Sequence, residues 1–297
     1  MNLPKSINLD KLINNLKVVC WEASDILVNY SQKIADEQYE NQFIKYKEIN
    51  EPVTLADIEV NNLILRFFKE NYPNVDWFVL SEENNKEDLK FKIDKDWIWV
   101  LDPLDGTKDF IQNTGNFAMH LSLNYKNKPF LGFVLIPLKD QLWITNGKSV
   151  WSENRIGLKT KTKLSDRREI HNMKLVTSKN HKNKMLNNII KLVGFKESIT
   201  MGSIGCKITS ILRGESDVYI SLSLPGQSAP KDWDFAAPEA LLRSAGGIIT
   251  NLENEELNYN NPNFEQKGFI IASNHKGNHE NICNQIKLIL EENKITI

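Results

Sequence analysis

Apolar positions recur at helical spacing near the start of the chain and then give way to short continuous runs. Leu12, Leu16, Val19, Ala23, Ile26 and Leu27 return every three or four residues between positions 8 and 37, which predicts one long amphipathic helix. Val60, Leu63, Ile64, Phe67 and Phe68 repeat the pattern after Thr54. A second helix is therefore predicted to start there, with Thr54 and Asp57 standing where a capping box puts them. The period then changes, and apolar runs at 77–81, 97–101, 117–124 and 130–136 read as strands punctuated by Gly132 and Pro137. The charged, aperiodic stretch Lys159 to Asn172 reads as a connector, so a lobe boundary is expected between 150 and 165, dividing the chain into lobes 1–155 and 156–297. Beyond it, strand and helix alternate. Lys174 to Thr177 is a strand, 181–193 a helix, the Gly202-Ser203 turn opens a helix through Leu212, Val218 to Ser221 is a strand, and Trp233 to Ala245 is a helix. The class is mixed α/β, with α+β character in the first lobe.

Composition narrows the function. With 297 residues, 41% of them hydrophobic, the chain is longer than a single core usually supports and has ample material for two lobes. The 37 basic residues balance the 38 acidic ones to a formal charge of −1. Long-range attraction to nucleic acid or an anionic membrane is thereby removed, and any phosphate has to be bound by local groups. No basic stripe or aromatic platform suggests a nucleic-acid partner. No apolar run approaches the ~20 residues of a membrane span, and Met1 to Ser6 lacks the apolar core of a secretory signal. Cys20, Cys206 and Cys283 are odd in number and far apart, which reads as reduced thiols in a cytoplasm, serving as small buried hydrophobes.

The chemistry concentrates in Trp99-Val-Leu-Asp-Pro-Leu-Asp-Gly-Thr-Lys-Asp-Phe110, which sets Asp102, Asp105, Gly106 and Thr107 at the exit of a buried strand. Pro103 and Gly106 are expected to turn the backbone with the two carboxylates still close, and a hard cation such as Mg²⁺ relieves their repulsion. Asp-Pro and Asp-Gly are also ordinary turn formers, so the local sequence fits a loop cap as well. A haloacid-dehalogenase site would need its nucleophile where Pro103 stands, and a calcium loop would need oxygen ligands where Lys108, Phe110 and Gln112 stand.

This stretch resembles the metal signature of the inositol monophosphatase superfamily, the lithium-sensitive Mg²⁺-dependent phosphatases. Three other stretches are similar to that family's motifs and follow its order: Glu51-Pro-Val-Thr-Leu-Ala-Asp57, Phe78-Val-Leu-Ser-Glu-Glu83, and Lys231-Asp-Trp-Asp-Phe-Ala-Ala running on to Ala245-Gly-Gly247. The resemblance implies a layered αβαβα sandwich and phosphomonoester hydrolysis by metal-activated water, using two or three Mg²⁺ ions. It implies Glu82, Asp102 and the Leu104 carbonyl as ligands of one ion and Asp102, Asp105 and Asp234 as ligands of a second. Glu83 would support a weaker third, or act from behind the ligands. Thr107, oriented by Asp57, would pass the water's proton on, which makes Asp57, Thr107 and Glu82 the expected catalytic residues. Asp232 fits a helix cap equally well.

Within the superfamily, Gly106-Thr-Lys-Asp-Phe110 resembles the CysQ-type branch, which removes the 3′-phosphate of 3′-phosphoadenosine 5′-phosphate. Val176-Thr-Ser-Lys-Asn-His181 and Gly202-Ser-Ile-Gly-Cys-Lys207 are similar to that branch's substrate stretches, although Lys179 and Asn180 replace its usual Arg and Ser. The implied contacts are Gly106, Thr107, Ser178, Lys179, Gly202, Ser203, Lys207 and Lys231, with His181 a further cation. Gly202 and Ser203 also open a helix, whose first amides favour phosphate. Inositol 1-phosphate or another sugar phosphate stands as the alternative substrate, and a non-catalytic metal-binding interaction protein as the alternative of another class. No integral membrane association is expected, and a monomer and a homodimer fit the sequence equally.

Overall fold

The structure, a computed structural model, describes residues 3–4, 7–35, 44–48, 51–84, 92–179 and 184–295, with backbone alone over 44–48 and 51–53. Asn180 and His181 lie outside the described residues. Helix α1 (Leu9–Ala35) buries Leu12, Leu16, Val19, Ala23 and Leu27 of the stripe read from the sequence, with Cys20 beside them and Ile26 partly buried. Strands β1 (Ile44–Glu48) and β2 (Glu51–Thr54) pair antiparallel and lead into α2 (Leu55–Asn71). Thr54 caps α2: its hydroxyl accepts from Ala56 N at 3.2 Å, while Asp57 Oδ2 accepts from Thr54 N at 2.7 Å.

A seven-stranded sheet follows, formed by β3 (Phe78–Ser81), β4 (Trp97–Asp105), β5 (Ala118–Tyr125), β6 (Lys128–Ile136), β7 (Gln141–Thr145), β8 (Val150–Glu153) and β9 (Lys159–Lys161) in that spatial order. Only β3 and β4 run parallel. The short helix α3 (Thr107–Ile111) follows β4. A second sheet, in the order β11-β10-β12-β14-β13, contains β10 (Lys174–Ser178), β11 (Glu197–Met201), β12 (Val218–Ser223), β13 (Ile248–Thr250) and β14 (Gly268–Ser273). Helices α4 (Lys184–Val193), α5 (Ile204–Leu212), α6 (Asp232–Ser244) and α7 (Lys276–Glu292) complete the described elements.

Three cores stack these elements into five layers. The odd residues Trp97, Trp99 and Leu101 of β4 pack with α1 and α2, whereas Ile98 and Val100 point the other way and pack with α5, α6 and the inner face of the second sheet. The outer face of that sheet, Leu175, Val218, Ile220, Phe269 and Ile271, packs with α4 and α7. The order is helices, sheet, helices, sheet, helices, as the αβαβα expectation required. Period-2 alternation makes this possible, because a sheet covered on both faces needs apolar residues at odd and even positions alike.

Two local readings change. The strand does not stop at Leu101. It continues through Pro103 to Asp105, with an irregularity between Asp102 and Asp105 against β5, so the carboxylates sit on a bulged strand end and the turn comes at Gly106. The expected connector 159–172 begins with β9, which pairs with β8. Among the described residues no helix is long and apolar enough to cross a membrane.

Candidate active site

The end of β4 meets the first turn of α6 at a cluster of carboxylates. One oxygen each from Asp102, Asp105 and Asp234 lies within 4.8 Å of the others. Asp234 is held by its own helix, accepting from the Lys231 amide. Glu82 arrives beside them because β3 runs parallel to β4, and its amide donates to the Leu101 carbonyl at 3.1 Å. The turn behind Glu82 is pinned to α2, where Ser81 Oγ donates to Asn61 Oδ1 at 2.7 Å. Asp57 enters from the first turn of the same helix.

These groups perturb one another. Burial pushes the Asp102 carboxyl well above the ordinary range, and the charges of Glu82, Asp105, Asp234 and Asp57 push it further. Asp234 moves the same way, from burial first and Asp105 second. Asp57 is pushed up to about 8 by burial, against the opposing hydrogen bond from Thr54. Asp102 is almost fully buried, and its carboxylate accepts from Leu104 N at 3.0 Å. Buried, mutually repelling carboxylate oxygens converging on one point are the hard ligand set a divalent cation such as Mg²⁺ takes, so the residues present fit the metal.

Asp105 divides its two oxygens. Oδ2 accepts from Ser203 Oγ at 2.6 Å, Ile204 N at 2.5 Å and Gly205 N at 3.2 Å. The start of α5 therefore already holds an anion, the protein's own carboxylate, and its first amides are not free for phosphate as expected. Ser203 instead donates its amide to Asn116 O at 3.0 Å and caps α5 by accepting from Cys206 N at 3.1 Å. Gly202 is a packing requirement, since a Cβ there would run into the buried Asp109 carboxylate and come within 2.8 Å of Asn116 O.

The expected cations are placed at different depths. Lys207 is 1% exposed, donates Nζ to Gly202 O at 2.6 Å and lies 5.5 Å from the Tyr219 ring centre, so it braces the turn from beneath. Burial holds its pKa below the usual lysine range. Lys179 is half-buried, donates to Gln112 Oε1 at 3.0 Å and sits 3.7 Å from Asp109. It follows Ser178 at the end of β10, with its amide on Met201 O. Lys231 Nζ reaches Asn263 O at 3.1 Å and Glu265 Oε1 at 3.3 Å. Asp232 does not cap its own helix. It accepts from Asn260 N at 2.6 Å and Gln266 Nε2 at 2.7 Å, tying a loop to the start of α6.

Gly106 adopts a left-handed φ of +90°, and a Cβ would approach Asn116 O to 3.0 Å, which accounts for the glycine at the turn. Thr107 next to it donates its hydroxyl to the Leu104 carbonyl at 3.2 Å. The expected orientation of Thr107 by Asp57 is not formed, because Asp57 Oδ2 takes both the amide and the hydroxyl of Thr54, each at 2.7 Å. Two residues were missed from the sequence: Asp109, buried under Gly202, and His120, buried beside Asp105. A lone imidazole inside the apolar run Ala118-Met-His-Leu121 was the available signal for the second.

Comparison with known proteins agrees with this geometry. The sequence pattern of the inositol monophosphatase family matches residues 8–291. The 3′(2′),5′-bisphosphate nucleotidase CysQ of Buchnera aphidicola is 31% identical over 218 residues, covering 73% of this chain and 77% of that protein. Its namesake in Escherichia coli K12 is 28% identical over 229 residues, covering 76% and 87%. The structure superposes on the IMPase of Thermotoga maritima with a TM-score of 0.73 at 19% identity, over 95% of this chain and 99% of that one. For the inositol monophosphatase of Anabaena the TM-score is 0.71 at 21% identity, over 95% and 97%. The two structures speak for the fold, and the family pattern extends over the whole carboxylate cluster from Asp57 to Asp234: the chain belongs to the inositol monophosphatase family.

Proposed function

We propose that the chain is a Mg²⁺-dependent phosphomonoesterase that removes the 3′-phosphate of 3′-phosphoadenosine 5′-phosphate, giving AMP and phosphate. The observation that carries the reading is the convergence of Asp102, Asp105 and Asp234 oxygens within 4.8 Å at the strand end. The choice of substrate is supported by the two relatives named as bisphosphate nucleotidases and by the wording of Gly106 to Phe110.

Glu82, Asp102 and the Leu104 carbonyl would hold one Mg²⁺, Asp102, Asp105 and Asp234 a second, and Glu83 would support a weaker third. Bound there, the cations lower the pKa of attacking water and neutralise charge on the entering and departing oxygens of an in-line displacement. Asp105 would contribute through Oδ1, because Oδ2 is engaged by α5. Thr107 holds its hydroxyl at the Leu104 carbonyl, where it can accept from water while donating to the backbone, and the Asp57 carboxylate, held by Thr54, would be the acceptor of the water's proton. Lys207 offsets the negative cluster from below, while Lys179 and Lys231, less buried, are suited to a second phosphate that inositol 1-phosphate lacks. Gly106, Ser178, Gly202 and Ser203 would be the further substrate contacts.

The test is phosphate release from 3′-phosphoadenosine 5′-phosphate and from inositol 1-phosphate, with Mg²⁺ and after chelation. Mg²⁺-dependent preference for the nucleotide is expected, and Asp102→Asn is expected to lower kcat by at least about 100-fold while remaining folded, the scale of losing a charge-stabilising group. Preference for inositol 1-phosphate would overturn the substrate, and turnover that survives chelation would overturn the metal chemistry.

A further inference from the structure

We propose that His120 is a positioning residue for metal binding, which acts by holding Asp105 and the start of α6 at the spacing the cation needs. The proposal rests on the metal-dependent reading of the site. His120 lies on β5 directly opposite Asp102 of β4 and points into the layer of α5 and α6. It is fully buried. Its Nε2 lies 3.2 Å from Asp105 Oδ2, and its Nδ1 lies 3.4 Å from the Trp233 carbonyl, one residue before Asp234. One imidazole therefore touches a ligand directly and the backbone beside another.

The three hydrogen bonds on Asp105 Oδ2 all come from the first turn of α5 or its cap, at Ser203, Ile204 and Gly205. His120 approaches the same oxygen from the sheet. The backbone of Asp105 belongs to β4, and His120 is a side chain of the sheet packed against its carboxylate, opposite the hydrogen bonds from α5. Among the described residues Nε2 has no hydrogen-bond partner, and the nearest charged group the structure sets against it is the Asp105 carboxylate at 3.2 Å. A carbonyl oxygen can only accept, so the bond to Trp233 assigns the hydrogen of the neutral ring to Nδ1 and leaves Nε2 packed against the Asp105 carboxylate.

Gly205 completes the arrangement. A Cβ there would collide with Nε2 and would come within 2.8 Å of Val134 Cγ1 and 2.9 Å of His120 Cδ2. The ring and the first turn of α5 occupy one space, and only glycine lets α5 reach Asp105 while the imidazole stays in place. Groups behind metal ligands commonly change metal affinity by 10- to 100-fold when removed, because they set the orientation of the ligand.

The experiment is Mn²⁺ titration of the substrate-free protein, followed by the electron paramagnetic resonance signal of free Mn²⁺, with far-ultraviolet circular dichroism as the control for folding. His120→Leu fills the space without a donor and is expected to weaken Mn²⁺ binding by about 10- to 100-fold. His120→Gln, which retains an N–H, is expected to recover part of that loss. Gly205→Ala, which displaces the ring from the helix side, is expected to weaken binding in the wild-type background and to add little to His120→Leu. Equal affinity for the Leu variant and the wild type, or equal loss in the Leu and Gln variants, would overturn the proposal. If the His120 variants do not fold, Gly205→Ala decides alone: unchanged Mn²⁺ affinity in a folded protein rejects the role. Wild-type protein that binds Mn²⁺ but spares 3′-phosphoadenosine 5′-phosphate would remove the substrate reading and leave this one standing, whereas wild-type protein that binds no Mn²⁺ would remove both.

Discussion

Gly202 has no room for a side chain, although its backbone does not need a glycine's freedom. The obstacle is the buried Asp109 carboxylate, whose Oδ1 accepts from Thr114 Oγ1 at 2.6 Å and so cannot swing away without losing a partner. Gly202 also supplies the carbonyl that holds Lys207 Nζ. Gly202→Ala should therefore destabilise the protein by about 1–3 kcal/mol, the usual scale of overpacking in a close-packed region. Adding Asp109→Ala should recover part of that loss in chemical denaturation, and strictly additive losses would show that the methyl is accommodated elsewhere. At this scale the closeness of Asp102 and Asp105 was readable from one strand-end stretch, although a turn was expected where the strand bulges, and Asp234 was readable only through the family resemblance. The division of labour within Asp105 was not, because its Oδ2 is claimed by Ser203, 98 residues away in sequence. Nor was the partner of Thr107, although the capping box that takes up Asp57 was read from the sequence.

One imidazole of helix α7 adds a polar tie to its apolar packing on the second sheet. His279, 1% exposed, meets Thr250 Oγ1 at 2.6 Å through Nε2 and Ser273 Oγ at 2.9 Å through Nδ1, bridging β13 and β14. Burial pulls its pKa down to about 4 from an ordinary 6.5. Between those values the unfolded chain binds a proton that the folded chain refuses, so this group's contribution is complete above pH 6.5 and is lost as pH falls towards 4. By pH 5 the loss should be about 2 kcal/mol, because each pH step below the unfolded value costs ~1.4 kcal/mol. Glu239, raised to about 7 by burial, slopes the other way over much of the same range, so wild type has to be compared with His279→Gln. The variant should lack this share of the fall in unfolding free energy between pH 7.5 and pH 5, and parallel falls in the two proteins would contradict the assignment. Whether an element was readable followed from how it is stabilised. The helices α1 and α2 and the central strands announce themselves because each buries a stripe or a run. Strand β9, Lys159-Thr-Lys161, is exposed along its length and exists through its ladder with β8, which no hydropathy pattern records.

The whole molecule brings acidic groups from α2, β3, β4 and α6 to one joint between layers, in a chain whose formal charge is −1. Its net charge supplies no field to draw a phosphate ester from a distance, so attraction has to arise where the ester binds. The same joint is the place where folding is opposed, because Asp102 and Asp234 are both pushed upward by burial and by their neighbours. A cation bound there couples occupancy to global stability: at a hundredfold excess over Kd it stabilises by about 2.7 kcal/mol. At roughly 2 °C per kcal/mol for a large single-chain protein, Mg²⁺ should raise Tm by about 5 °C, and chelation should reverse the rise. Asp102→Asn removes one buried charge together with the carboxylate shared by both proposed cations. It should therefore melt higher than wild type without metal and show little of the Mg²⁺-dependent rise. If the variant instead melted below metal-free wild type and kept the full Mg²⁺ response, the acidic joint would be a structural network stable in its own right, with the cation bound elsewhere.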